Sequence, residues 1–334
     1  MEFGNLFASL AAILNEMSPY ILLGFVFAGI LHVFVNRGTM ARHLRGNGAG
    51  PVVKAALFGI PLPLCSCGVL PAAVSLRRQG ASRAAATSFL IATPQTGVDS
   101  IAATYSLLGL PFAIIRPVAA LAGAVFGGLA VGRASAGDDR TELKAQAMES
   151  DDSFRHMGFF RKCIEAVRYG LVDMVASIGK WLVIGLVVAA LITAFVPDSI
   201  FISLNRYPLL AMLAMVLVAV PMYVCATGSI PIALSLMLKG LSPGIAFVLL
   251  MAGPAANFAS VMVLRRSMGG RATAVYIGSV VATAILFGLI IDYALPAAWF
   301  VPSGNVASSC HGEIHFGIFE SACSALLLLL LAYA

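Results

Sequence analysis

Charged residues are scarce in this chain of 334 residues: they make up 11% of it, whereas 60% of the residues are hydrophobic. The mean hydropathy is +0.95. A water-soluble protein of this composition could not cover its apolar surface with polar groups. We therefore predict a polytopic membrane protein surrounded by the lipid bilayer. The net charge of +6 lies mostly in short loops, which is typical of topology-determining lysines and arginines and not of a nucleic-acid surface.

Motifs that would identify an enzyme or an ATP-driven pump are also missing. The sequence has no glycine-rich phosphate-binding loop and no constellation for hydrolytic catalysis. We therefore predict no enzymatic activity and no cofactor, and expect active transport to be driven by an ion gradient or an external partner. The six cysteines lack the regular spacing of a secreted disulfide framework. The first residues show no cleavable signal pattern, so we expect the first span to serve as the targeting signal.

Long apolar stretches divide the chain into candidate membrane spans. They lie at about residues 18–35, 51–76, 83–108, 111–131, 177–196, 208–238, 243–264, 272–294 and 314–333. Residues 133–169 are polar with charges of both signs, which predicts a cytoplasmic linker. We expect a first transmembrane repeat in residues 1–132, a second in 170–296, and an outer loop with one extra C-terminal helix in 297–334.

The two transmembrane parts are predicted to be copies of each other. One constant shift in residue number, which we call the repeat shift, aligns them without a gap. It superposes Pro61, Cys65, Gly68, Pro71, Ser75, Leu76, Gly80, Ser82, Pro94 and Ser100 on Pro221, Cys225, Gly228, Pro231, Ser235, Leu236, Gly240, Ser242, Pro254 and Ser260. Likeness among leucine-rich spans would explain matched apolar residues, but not matched prolines, glycines and a cysteine. Duplication with paired interrupted segments is typical of a transporter core.

Proline-rich breaks interrupt both copies. In the first copy a break runs from Pro61 to Pro71 and reads Pro-Leu-Pro-Leu-Cys-Ser-Cys-Gly-Val-Leu-Pro. Further breaks lie at Thr93–Gly97 and Gly253–Asn257. Backbone groups freed by a break are tolerated at membrane depth only where they are buried in protein or line a cavity. These breaks therefore predict a binding site.

The relative orientation of the copies depends on how the broken segments cross. If residues 51–76 form a re-entrant hairpin, each copy crosses three times and the second copy is inverted. The basic loops at 37–54, 77–83, 133–168 and 265–271 then fall on the cytoplasmic side. If the segments cross fully, the repeats are parallel and basic loops lie on both sides. We favour inversion, in which the re-entrant or proline-broken helices of an all-α fold meet near the midplane.

Three thiols and two hydroxyls would converge where these breaks meet. They belong to Cys65, Ser66, Cys67, Cys225 and Thr227. Thiolates are soft donors that select Cu(I), Zn(II) and similar ions, and trivalent arsenic shares this preference. We therefore expect a substrate site here, with the three cysteines as metal ligands. A lone membrane cysteine is more often a small buried hydrophobic group, which is our interpretation of Cys163 and Cys323.

Other polar residues lie in or beside the breaks. A carboxylate such as that of Asp99 is costly inside a membrane unless it faces a cavity or pairs with a base. It either couples transport to protons or pairs with a donor such as Arg116. Asn257 either binds substrate or satisfies unwound carbonyl groups. The same two alternatives hold for Thr93, Gln95 and Thr96.

A compact group of metal-ligating residues precedes the last span, on the predicted outer face. Its candidate metal ligands are Cys310, His311 and His315. Thiol and imidazole groups bind Zn(II) or Cu(I). The group is either a metal exit site or an ordinary loop.

Three runs of residues carry a likeness to a known family. They are the Cys65–Gly68 motif with its flanking prolines, Leu76–Ser82 and Phe89–Ser100. These runs resemble the ArsP-type permease family, closest to its copper/zinc efflux branch, and the resemblance covers nearly the whole chain. It implies a multi-pass permease of the bacterial inner membrane that exports a toxic soft species, an organoarsenical in the ArsP branch. It also implies that Cys65 and Cys67 are substrate ligands.

Two functions are consistent with these features. The first is a permease that exports a trivalent arsenical or a Cu or Zn ion through a cysteine-lined site at the repeat interface, driven by a proton gradient. The alternative is a membrane thiol-disulfide relay using Cys65 and Cys225, which would leave Cys67 without a role. A Cys65 to Cys225 disulfide formed in cells would favour the relay. The sequence carries no signal of oligomeric state.

Overall fold

The computed structural model describes residues 43–62, 64, 66–135, 159–169, 208–220, 226, 228–238 and 240–300, with single positions among 22–30, at 172 and among 322–329. Every regular element in these ranges is helical. The prediction of an all-α protein is therefore confirmed for this part of the chain. The first predicted span and the extra C-terminal helix lie almost entirely outside the described residues.

The helices are numbered here in chain order. They are α1 (Ala49–Gly59), α2 (Ser66–Arg78), α3 (Arg83–Gln95), α4 (Val98–Leu108), α5 (Leu110–Ala134), α6 (Phe159–Arg168), α7 (Pro208–Ala219), α8 (Ser229–Leu238), α9 (Pro243–Ala255), α10 (Phe258–Met268) and α11 (Gly270–Leu289). A π-helical turn, Ile290–Ala294, continues α11, and a 3-10 turn, Ala297–Phe300, follows.

Two of these helices are long and apolar enough to cross a bilayer. They are α5 and α11 with its π turn, each 25 residues long; an 18-residue stretch within them has a mean hydropathy of 1.9 and 2.4, respectively. The pair α9 and α10 also meets this criterion as one bent unit, with an angle of 52° between its two parts. The described ranges thus contain two or three candidate spans, as a membrane protein requires.

The breaks at Thr93–Gly97 and Gly253–Asn257, which we call the first and second polar breaks, each divide a predicted span into two helices. The first break separates α3 from α4, and the second separates α9 from α10. Pro94 and Pro254 each occupy the last turn before the break, one residue from the helix end. A proline cannot donate to the carbonyl group four residues back, which weakens the helix at that point.

Serine residues at equivalent positions begin α3 and α9. Ser82 Oγ accepts a hydrogen bond from the backbone N–H three residues on (3.1 Å), and Ser242 Oγ does the same (3.4 Å). This side-chain contact satisfies a donor that the first turn of a helix leaves unpaired. In the turn before each serine, Gly80 has a φ of 95° and Gly240 a φ of 94°. Only glycine adopts such values without strain.

Asp292, in the π turn after α11, reinforces the start of α9. Its Oδ1 accepts a hydrogen bond from Gly244 N (2.7 Å), and its Oδ2 accepts one from Ser242 Oγ (2.8 Å). A carboxylate at a helix N-terminus is stabilised by the exposed N–H groups there. The contact attaches the end of one long helix to the start of another.

The described helices follow the spacing that the sequence predicted. The repeat shift carries the first residues of α3, α4 and α5 onto the first residues of α9, α10 and α11, respectively. Contacts are paired in the same way: α1 packs on α3 and α5, and α7 packs on α9 and α11. Helix α2 packs on α10, whereas α8 packs on α4. Helices α2 and α8, which correspond to each other by the repeat shift, therefore each contact the other half of the chain.

Small residues bring α5 and α11 together. A Cβ on Gly123 would lie 3.0 Å from Thr283 Cγ2, and one on Gly127 would lie 2.7 Å from Ser279 Oγ. Glycines of this kind allow helix backbones to approach closely in a membrane. The contact moves one turn forward along α5 while it moves one turn backward along α11. The two helices therefore run antiparallel where they meet.

Helix α6 lies in the predicted linker. The hydroxyl group of Tyr169, just after α6, accepts a hydrogen bond from Arg78 Nη1 (3.0 Å). The last part of the linker is therefore helical and attached to the end of α2. Residues 136–158 lie outside the described residues.

Candidate functional site

Arg116 lies near the start of α5, and only 1% of its surface is exposed. Burial of a guanidinium group in apolar surroundings is unfavourable unless its N–H groups find acceptors. Arginine can donate in several directions at once, so it can join separate parts of a structure. The groups that Arg116 contacts therefore show which segments meet in the interior.

The guanidinium of Arg116 connects the two halves of the chain. Its Nε donates to Gln95 Oε1 (3.2 Å), within the first polar break, and its Nη1 donates to Thr104 Oγ1 (2.8 Å) in α4, the helix after that break. Its Nη2 donates to the backbone oxygen of Ala226 (3.2 Å). Ala226 directly follows Cys225 in Cys225–Gly228, the stretch that corresponds to Cys65–Gly68 and that we call the second-half motif. We call Arg116, Gln95, Thr104 and Ala226 the Arg116 junction.

Gln95 makes a second connection between the halves. Its side chain is fully buried, and its Nε2 donates to the backbone oxygen of Met251 in α9 (2.8 Å). The same amide thus accepts from Arg116 through Oε1 and donates to α9 through Nε2. Of the two predicted roles for Gln95, satisfying a backbone carbonyl is the one seen here, and substrate contact stays a prediction.

Two further hydroxyl groups stabilise the Arg116 junction. Ser229 Oγ, in the first turn of α8, donates to the same Ala226 oxygen (3.0 Å). Thr104 Oγ1 accepts from Arg116 and donates to the backbone oxygen of Ser100 (2.6 Å). Because every one of these groups is buried, their hydrogen bonds fix the junction in one geometry.

Thr93 and Thr96 contact the backbone of their own helix. Thr93 Oγ1 donates to the oxygen of Phe89 (2.8 Å), and Thr96 Oγ1 donates to the oxygen of Ala92 (2.9 Å). Hydroxyl groups bonded to the carbonyl four residues back often accompany a bend in a helix. Both side chains are buried beside Pro94, where the helix ends.

Asn257 caps α10 at the second break. Its Oδ1 accepts hydrogen bonds from Ser260 N (2.8 Å) and Ser260 Oγ (2.7 Å). This contact is the N-cap arrangement that asparagine favours. The side chain thus satisfies local donors in this structure, and a contact with substrate stays a prediction.

Tyr276 occupies the position in α11 that corresponds to Arg116 in α5 by the repeat shift. Its buried hydroxyl group donates to the backbone oxygen of Ala255, and Ala255 corresponds in turn to Gln95. Each half therefore places a long polar side chain against the end of the helix before its break. Only Arg116 extends from there to the opposite half among the described contacts.

The predicted thiol ligands fall at the edge of the described structure. Cys65, Cys225 and Thr227 lie outside the described residues, as do Cys310, His311 and His315. Ser66 and Cys67 begin α2, and Asp99 is the second residue of α4, but their side chains lie outside the described part. Within that part, no three His, Cys, Asp or Glu side chains are grouped to hold a metal ion. These site residues stay predictions.

Cys323 is described, and its thiol is free and half-buried against the apolar core. Cys163 lies in α6, but its side chain is outside the described part.

Sequence reasoning missed the central place of Arg116, Thr104 and Tyr276. Arg116 is the one arginine within the predicted span 111–131. An ionisable residue inside a membrane span is by default a functional candidate, and this signal could have identified it. Thr104 and Tyr276 carry no comparable signal, because threonine and tyrosine are common in spans that have no site.

Similarity to known proteins extends over most of the chain. Residues 2–293 match the profile of ArsP_1, a family described as a predicted permease. The chain belongs to the ArsP_1 family. Membership confirms the resemblance that the sequence motifs indicated and, with the long apolar helices, places the protein among membrane permeases. Inner-membrane localisation in a bacterium is consistent with both findings.

Three relatives illustrate the range of the ArsP_1 similarity. A Streptococcus mutans protein, provisionally named a subunit of a two-component membrane permease complex, is 26% identical over 84% of this chain and 92% of its own length. The Bacillus subtilis UPF0718 protein YcgR is 25% identical over 68% of this chain and 75% of its own. The Escherichia coli UPF0718 protein YraQ is 25% identical over 75% of this chain and 70% of its own length. No solved structure matches the chain significantly.

These names specify no transported species. The narrower assignment to a copper/zinc efflux branch therefore stays a prediction.

Proposed function

We propose that the protein is a permease that exports a soft, thiophilic species through a site between two inverted halves. The guest is a trivalent arsenical or organoarsenical, or a Cu or Zn ion, and a proton gradient drives its export. The observation that carries the proposal is the Arg116 junction, which joins the first polar break to the residue after Cys225. Two breaks that meet inside a membrane protein form the expected place for a transport site.

The paired contacts support two copies related by a two-fold axis. Contacts of the first half have counterparts related by the repeat shift: α1 with α3 matches α7 with α9, and α2 with α10 matches α8 with α4. The pairs α3 with α9 and α5 with α11 each join a helix to its own counterpart. Two-fold symmetry produces this pattern, because residue i then contacts residue j wherever j contacts i.

The direction of α5 and α11 supports inversion. These helices correspond to each other, both are long enough to span a bilayer, and they meet antiparallel. Two equivalent spans that run in opposite directions require opposite orientations of their repeats. Charge agrees with this: residues 77–83, where α2 ends and α3 begins, contain Arg77, Arg78 and Arg83, whereas the corresponding residues 237–243 contain one lysine. Basic loops concentrate on the cytoplasmic side.

The chemistry of the guest follows from the cysteines. Cys225 precedes the residue that Arg116 contacts, and Cys67 lies in the first turn of α2, which packs against α10 beyond the second break. Thiolates from both halves would provide soft ligands for Cu(I), Zn(II) or trivalent arsenic. Asp99 lies in the first turn of α4, whose Thr104 belongs to the Arg116 junction. In this position a carboxyl group can carry the coupled proton.

Expression of the full chain in an efflux-deficient bacterium tests the proposal. We expect it to raise the tolerated concentration of at least one of arsenite, a trivalent organoarsenical, copper or zinc. Cys65→Ser, Cys67→Ser and Cys225→Ser should remove that protection, whereas Cys323→Ser, a matched control half-buried against the apolar core, should keep it. If Cys65→Ser and Cys67→Ser protect as well as the parent against every soft species, the thiol site is wrong. A stable disulfide between Cys65 and Cys225 in cells would instead favour the thiol-disulfide relay.

A further inference from the structure

We infer that Arg116 is a positioning residue: it holds the peptide after Cys225 against the first polar break and so sets the exposure of the Cys225 thiol. The inference deepens the proposed function, on which it rests in treating Cys225 as part of the transport site. It assigns a role to a residue that lies outside every cysteine motif. It also explains why a long cationic side chain is buried at this position.

The link between the halves at Arg116 is one-sided. In the first half Arg116 contacts Gln95 and then extends to Ala226 in the second half. In the second half the corresponding Tyr276 contacts Ala255, which belongs to its own half. A strictly symmetric pair of repeats would place the same contact on both sides. The arginine therefore attaches the second-half motif to the first half by a contact that has no symmetric copy among the described residues.

The Arg116 contact restrains the residue next to the thiol. Consecutive Cα atoms are about 3.8 Å apart, so fixing the Ala226 carbonyl group strongly limits where Cys225 can lie. A hydrogen bond from a guanidinium group is roughly twice as strong as one between neutral groups. Ser229 supports the same carbonyl from within its half. Loss of Arg116 would therefore remove the cross-half restraint and leave the local one.

Transport requires this restraint to be released. In inverted-repeat transporters the two halves move against each other around a central site. The Arg116 contact to Ala226 crosses that boundary, as does the contact of Gln95 with Met251. We assign the present geometry to the state in which Arg116 holds the Ala226 carbonyl group, and expect the contact to break when the halves move apart.

Thiol labelling in the full-length protein tests the role of Arg116. The parent for this experiment keeps Cys225 as its single cysteine, and the rate of modification by N-ethylmaleimide is measured in membranes. We expect Arg116→Met to raise that rate by about tenfold or more, as loss of a charged hydrogen bond implies. Arg116→Lys keeps the charge but not the fork of donors, so it should give an intermediate rate. Tyr276→Phe, the matched change in the other half, should stay within about twofold of the parent.

A second single-cysteine protein, in which Cys323 is the only cysteine, distinguishes a local effect of Arg116 on Cys225 from a general loosening of the fold. We expect the Cys323 rate to be unchanged by either Arg116 substitution. Parental rates at Cys225 in both Arg116→Met and Arg116→Lys would overturn the inference, and so would an equal rise at Cys323. If Arg116→Met does not accumulate in membranes, the Arg116→Lys rates at the two cysteines decide the matter. Labelling needs no transported species, so this assay and the efflux assay can fail separately.

Discussion

Gly123 packs directly against Thr283, and the repeat shift carries one of these positions onto the other. In the proposed two-fold arrangement, a residue that touches its own counterpart lies beside the symmetry axis. The neighbouring contacts agree, because Gly123 also approaches Met251 and Gly127 approaches Ile91, and Ile91 and Met251 are again counterparts. Helices α5 and α11, whose first residues are related by the repeat shift, thus cross at Gly123 and Gly127.

This crossing leaves no space at Gly127. A Cβ there would lie 2.7 Å from both Ile91 Cδ1 and Ser279 Oγ, whereas a Cβ on Gly278 would meet nothing within 4 Å. Overpacking typically costs about 1–3 kcal/mol, so we expect Gly127→Ala to lower the thermal unfolding temperature in detergent. Gly278→Ala should leave it unchanged or raise it, because alanine favours a helix by up to ~1 kcal/mol over glycine. Equal unfolding temperatures for the two variants would contradict the antiparallel contact.

Asp292 should contribute to stability through the start of α9. Asp292→Ala removes the acceptor for Gly244 N and for Ser242 Oγ, and loss of a helix cap costs about 0.5–2 kcal/mol. Asp292→Asn keeps one carbonyl oxygen and should lose less. Tyr293→Phe, at the adjacent exposed side chain, is the control. The comparison is made on purified protein by thermal unfolding, and a loss in Tyr293→Phe as large as in Asp292→Ala would argue against the cap.

If the repeats are inverted, corresponding loops of the two halves lie on opposite sides of the membrane. Arg78 and Leu238 correspond by the repeat shift, and both side chains are exposed. In a cysteine-free background, Arg78→Cys and Leu238→Cys are labelled in intact cells with a membrane-impermeant maleimide. We expect reaction at position 238 and protection at position 78. Parallel repeats would place both thiols on one side, and the two variants would then behave alike.

The sequence predicted the elements of this fold better than its interior contacts. Prolines, glycines and serines mark helix ends through local chemistry, so the breaks after Pro94 and Pro254 and the starts at Ser82 and Ser242 could be located without coordinates. Each of these residues affects the backbone only within a few positions along the chain. Because their effects are local, the same residues recur at matching positions in both halves, and this recurrence revealed the repeat shift.

The Arg116 junction could not be predicted in this way. Its acceptors on Gln95, Thr104 and Ala226 come from three separate segments, and one of them is a backbone oxygen. Such contacts depend on how the helices pack. The sequence predicted that the two cysteine-bearing breaks approach each other, which stays a prediction, and it did not indicate that Arg116 would join Gln95 to Ala226. The cap formed by Asn257 was not predicted either: the two expected roles were substrate binding and satisfying unwound carbonyl groups, whereas its Oδ1 accepts hydrogen bonds from Ser260.

The central claim is that both halves contribute sulfur to one guest, and X-ray absorption measures this most directly. Purified full-length protein is loaded with arsenite or with Cu(I), and the sulfur neighbours of the bound atom are counted. We predict sulfur coordination of at least one of these guests, with fewer sulfur neighbours after Cys65→Ser and also after Cys225→Ser, while Cys323→Ser leaves the count unchanged. Oxygen-only coordination of both guests, or a sulfur count that Cys225→Ser does not alter, would contradict the account.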